Sequence, residues 1–82
     1  MKALELGELL EKLGVPILGC REDDGQLGAS VRVTDTIHID IGEDGGASVV
    51  AHSAKGLQYY GARSEVHELI CDLVEAGAIV LH

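Results

Sequence analysis

Carboxylates dominate the residues of this chain that could do chemistry or make charge-driven contacts. Glu65, Glu68, Asp72 and Glu75 recur at helical spacing. At about 100° per residue they fall within a sector of roughly 80°, and they span roughly 15 Å along the axis. The apolar residues of the same stretch lie on the other side, so the row is expected to face solvent. Like charges at this spacing repel by roughly a few tenths of a kcal/mol per pair, and no Lys or Arg interrupts the row in sequence. A negative ridge that docks a basic groove would give that repulsion a purpose. The plainer alternative is the solvated face of an acidic protein. Two further groups, Glu22-Asp23-Asp24 and Asp40 with Glu43 and Asp44, fall in or beside expected turns, where acids also serve as turn formers.

Other constellations are incomplete. His67 and Cys71 stand at i, i+4 on one flank of the same helix, and both are legitimate zinc ligands. The remaining candidates, Cys20, His38, His52 and His82, are scattered without ligand spacing. As a thiolate and its base, the pair lacks a third orienting group. Glu43-Asp44-Gly45 offers too few oxygens for a calcium loop. Gly25 to Gly28 and Gly42 to Gly46 carry neither phosphate-loop pattern. We expect no enzyme activity, no metal and no cofactor. Tyr59 and Tyr60 are the only aromatic residues. They sit between Gly56 and Gly61, flanked by Lys55 and Arg63. A loop tyrosine is a common interface anchor, and a tyrosine can equally cap a small aliphatic core. One of each is expected here.

The composition restricts the partner. The chain has 82 residues, fourteen acidic against six basic, and a formal charge of −8. Such a surface repels phosphates, which argues against direct binding of nucleic acid or an anionic membrane. It favours a basic protein surface, although charge of this sign also keeps a small protein dispersed. No run approaches the roughly 20 apolar residues of a membrane helix. The N-terminus reaches Glu5 too early for a signal peptide, so a cytoplasmic protein is expected. Cys20 and Cys71 are then expected as free thiols.

Positioning these residues requires a single domain, 1–82. Residues 3–13 read as a helix with Leu6, Leu9, Leu10 and Leu13 on its buried stripe, stopped at Gly14. Val15 to Cys20 is an apolar run suited to an opening strand. From Ala29 to Ile41 the odd positions are mostly apolar, the signature of a half-buried strand. Asp35 breaks the row, so Thr34-Asp35-Thr36 is either a turn between two strands or a bulge within one. Asp44-Gly45 marks a hairpin between residues 37–41 and 47–52. Residues 53–63, with two glycines, read as a loop. Ser64 is the expected N-cap of a helix over 65–76, with Val66, Leu69, Ile70, Leu73 and Val74 buried and Gly77 as its stop. Ala78 to Leu81 reads as a last strand. The fold expected is α+β: a small antiparallel sheet of four to five strands with both helices on one face, in the order α-β-β-β-β-α-β. The open sheet face carries Arg32, His38 and Asp40. A terminal edge strand also makes a homodimer accessible beside a monomer.

In its overall character the chain resembles the small acidic phage-encoded inhibitors of bacterial defence complexes, the anti-CRISPR and anti-restriction proteins. The residues carrying the resemblance are Glu65, Glu68, Asp72 and Glu75, with Glu22, Asp23, Asp24, Asp40, Glu43 and Asp44. The resemblance implies a nucleic-acid-binding target and an acidic surface that mimics DNA. The Leu-rich opening helix and the Val31–Ile41 strands are also similar to small type III secretion chaperones. A phage structural or assembly subunit, joined through its edge strands, is the third reading.

Overall fold

The computed structural model of the chain describes residues 1–79. Two helices and five strands follow one another as α1 (Ala3–Lys12), β1 (Gly19–Arg21), β2 (Ala29–Arg32), β3 (Ile37–Ile41), β4 (Ala47–Ser53), β5 (Gly56–Arg63) and α2 (Val66–Ala76). The strands form one antiparallel meander in the order β1-β2-β3-β4-β5. The fold is α+β. α1 packs over β1 and β2, and α2 packs over β4 and β5.

Strand alternation builds the core. Val31, Ile39 and Val49 stand in register across β2, β3 and β4, and all three are fully buried. Ala3, Leu6 and Leu10 of α1 and Leu69 and Leu73 of α2 close the same cluster from above. With no Phe or Trp in the chain, close packing of aliphatic side chains supplies nearly all of the burial. Among the described residues no helix is long and apolar enough to cross a membrane.

The helix ends are set by named contacts. α1 receives no side-chain cap from Lys2. Instead the Glu22 carboxylate, from the loop after β1, accepts from the Leu4 N–H at 2.8 Å and places negative charge at the helix N-terminus. At its other end the Gly14 and Val15 N–H groups return to the Glu11 and Leu10 carbonyls. Gly77 and Ala78 close α2 in the same way, onto Val74 and Leu73. Both are Schellman endings.

Several expectations need correction. The buried stripe of α1 is Ala3, Leu6, Gly7 and Leu10, and Leu9 and Leu13 are exposed. Gly7 lies in the stripe because Ile17 and Cys20 press against it. The opening strand is Gly19–Arg21, which shares only Gly19 and Cys20 with the apolar run Val15 to Cys20. Thr34-Asp35-Thr36 is a turn, closed by Thr34 Oγ1 accepting from the Thr36 and Ile37 N–H groups. The N-cap of α2 is Glu65, not Ser64, and it forms no side-chain cap. The fifth strand lies before α2, within the stretch expected to be a loop. Ala78 and Ile79 are not in a strand, and the rest of the expected last strand lies outside the described residues. Cys20 and Cys71 are free thiols.

The glycines of β5 explain why it reads as a loop. Opposite β4, Ser48 pairs with Ala62 and Val50 with Tyr59. One residue of β4 therefore faces two of β5, Tyr60 and Gly61. This is a β-bulge, and Gly61 takes the left-handed conformation it needs, with φ 103°. The extra residue reverses the facing of everything after it. Tyr60 turns toward the core, and Arg63, three residues on, reaches the same side.

Candidate functional site

The bulge decides the fate of the acidic row on α2. Arg63, brought to the helix side, grips Asp72 with two charge-assisted hydrogen bonds: Nε to Oδ2 at 2.8 Å and a terminal nitrogen to Oδ1 at 3.1 Å. Asp72 is buried, with 4% of its surface exposed. Its hydrogen bonds and charge raise the Arg63 pKa above the ordinary value. Glu68 lies 3.8 Å from the same guanidinium. The row is therefore not an uncompensated solvent ridge. Asp72 sits about 60° from Leu69 around the helix, at the margin of the apolar stripe, and its charge is neutralised inside the fold. Glu65 and Glu75 remain exposed.

The acidic turns are held by backbone. Asp23 Oδ1 accepts from the Gly25 N–H, and Asp24 Oδ1 accepts from the Gln26 and Leu27 N–H groups. The bonds from Leu27 and Gln26 hold the Asp24 carboxyl below the ordinary carboxylate range. Asp44 Oδ1 accepts from the Gly46 N–H at 2.9 Å. These bonds fix the carboxylates without cancelling their charge. The antiparallel order puts the Glu22–Gly28 loop and the Gly42–Gly46 hairpin at the same end of the sheet. The connection from β5 to α2, with Glu65, reaches that end too. The N-terminal ammonium also arrives there, 3.3 Å from the Gly45 carbonyl oxygen. Glu22 is partly spent on α1.

The open face of the sheet has a different character. Its middle row runs Arg32, His38, Val50, Tyr59 across β2 to β5. Tyr59 is 61% exposed, so the two tyrosines divide, one toward the core and one toward solvent. Val50 is fully buried although it lies opposite the core; the side chains around it on this face cover it. His38 Nε2 lies 3.1 Å from Asp40 Oδ1, and His38 Nδ1 lies 3.0 Å from His52 Nε2. Arg21, Ser30 and Arg32 help line the shallow groove of about 340 Å³ that holds this chain of groups. Arg32 leans toward Asp35 at 3.4 Å.

The sequence puts Asp40 on the open face with His38 as well as beside the acidic turn, and it offers His52 only as a scattered ligand candidate with no partner. A signal for the pair existed. Strands meeting at the Gly42–Gly46 hairpin bring position 38 opposite position 50, and 52 is the next residue on that face. Arg63 carried no comparable signal, because its facing depends on the bulge. His67 and Cys71 are both exposed on α2. Among the described residues no group of three or more His, Cys, Asp or Glu is arranged to hold a metal. No protein-family model, curated protein or solved structure matches this chain.

Proposed function

We propose that this chain is a non-catalytic acidic binding protein of the cytoplasm that docks onto a basic protein surface. In its sharpest form the reading makes it an inhibitor of a nucleic-acid-binding bacterial defence complex, occupying the DNA-binding groove as a DNA mimic. The observation that carries it is the gathering of Asp23, Asp24, Glu43, Asp44 and Glu65 at one end of the sheet. Asp23, Asp24 and Asp44, fixed by turn geometry, resemble a phosphate row in one physical respect: they displace the counterions of a Lys- and Arg-lined channel without first having to be ordered. Asp72 is not part of that surface, because Arg63 already holds it.

The test uses Glu43 and Glu65, the two exposed acids of this end whose side chains form neither an ion pair nor a hydrogen bond among the described residues. The tagged chain is used to capture partners from bacterial lysate, with washes of rising salt. A nucleic-acid-binding complex that elutes as salt rises is the expected result, and the Glu43→Lys, Glu65→Lys variant should lose at least tenfold in affinity for it. Equal capture by that variant, with an unchanged circular dichroism spectrum, would sink the reading.

Strand β5 favours one second reading, an assembly subunit. It is eight residues long, exposed over most of its length, and among the described residues it is paired on one edge only. Free edges of this kind recruit further strands. Concentration-dependent growth of the pure protein on size exclusion is the result that reading requires.

A further inference from the structure

On the open sheet face the roles of the groups follow from the tautomer of His38. An ionised Asp40 carboxylate can only accept, so His38 Nε2 carries the proton that faces it. A neutral His38 then presents Nδ1 as a bare lone pair. That nitrogen is the one 3.0 Å from His52 Nε2. A carboxylate on the far nitrogen of an imidazole is the usual outer support of a metal-binding histidine, where it sets both tautomer and ring orientation.

The geometry of the pair admits a shared ion as well as a bent hydrogen bond. A linear N–H···N bond of this length would hold the ring centroids about 5.3 Å apart. The centroids are 4.9 Å apart, with the ring planes tilted by 43°. An ion about 2.0–2.1 Å from both nitrogens would see them at about 94° and bring the centroids to about 4.7 Å. An angle near 90° suits neighbouring positions of a tetragonal or octahedral ion better than a tetrahedral one. Both rings stand on paired strands above the fully buried Val50. The nearest cation across the strand, Arg32, is drawn off toward Asp35.

We propose that His38 Nδ1 and His52 Nε2, with Asp40 behind His38, form an open two-histidine site for a divalent late first-row transition ion, copper(II) or nickel(II) fitting best. No third protein ligand joins them among the described residues, so water or a group from a docked molecule completes the shell. The site does not depend on the acidic-end reading and shares none of the residues altered to test it.

The test uses the full, tag-free chain with Cys20→Ser and Cys71→Ser, because both thiols are exposed and would compete. Substoichiometric copper(II) should broaden the imidazole NMR signals of His38 and His52 before those of His67 and His82. This readout needs no change at the site. In calorimetry with nickel chloride, His38→Gln or His52→Gln should weaken binding at least tenfold, and Asp40→Asn about tenfold. His67→Gln should leave it unchanged. Broadening that begins at His67 or His82, or equal nickel binding by the His38 and His52 variants, overturns the site. So does the absence of both heat and broadening at millimolar metal, which would leave the two rings as a hydrogen-bonded pair and nothing more.

Discussion

Asp24 shows how much of this protein's acidity is structural. One of its carboxylate oxygens accepts from two backbone N–H groups, at 2.8 and 2.9 Å. That arrangement favours the ionised form, so it holds the carboxyl below its ordinary value. A folded value below the unfolded one means the contribution is fully present above the unfolded value and is lost as pH falls through the folded one. We therefore expect the Gln26 and Leu27 amide shifts to titrate with a midpoint below the ordinary Asp value of about 3.9. In Asp24→Asn, which keeps the turn but not the charge, that titration should be absent. A wild-type midpoint at or above the ordinary value would mean that the turn does not hold the carboxylate in solution. The same scale separates acids that serve the fold from acids left over. Glu22 caps α1, Asp72 holds Arg63 and Asp40 supports His38, whereas among the described residues Glu43, Glu65 and Glu75 have no such role.

At the scale of elements, the bulge in β5 joins the sheet to α2. Without the extra residue Arg63 would point to the open face, and Asp72 would be left buried without its cation. A buried carboxylate without its partner is costly. Replacing Gly61 with Val puts a β-branched residue at φ 103°, where L side chains are strained. We expect Gly61→Val to destabilise the fold by about 2 kcal/mol or more in urea unfolding, and to move the Arg63 side-chain resonances toward exposed values. Gly61→Asn, which tolerates positive φ better, should recover part of the loss. Equal stability of all three proteins would mean that the bulge does not position Arg63.

For the whole molecule, charge is the controlling quantity. Eight net negative charges sit on a body of 37 × 32 × 21 Å. At 0.01 M salt the Debye length is about 30 Å, so repulsion acts across the entire protein, and near 0.15 M it falls to about 8 Å. Screening should therefore favour the compact state. We expect Tm to rise by about 2–5 °C between 10 and 200 mM sodium chloride. A fall in Tm would show that screening of the Arg63–Asp72 and Glu68 contacts outweighs relief of the repulsion. The aliphatic core gives this balance weight, since a small domain has little stability to spare.

Periodicity and the Asp44-Gly45 turn signal were enough for both helices, the β3–β4 hairpin and the α+β class, whereas the division of residues 29–41 into β2 and β3 needed the structure. Alternation at period two and stripes at period 3.6 are local properties of a chain that must bury one face of each element. The glycine stops of α1 and α2 were legible for the same reason, because they depend on backbone conformation a few residues away. Strand β5 was not, because two glycines read as loop until its pairing with β4 shows one of them to be a bulge. The roles of the acids were hidden for a further reason. Asp72 and Glu75 look alike in sequence, and only the arrival of Arg63 from another element distinguishes a buried ion pair from a solvated side chain. The meeting of His38 with His52 likewise needed strand register. Long-range pairing decides which polar groups meet, and no local pattern encodes it.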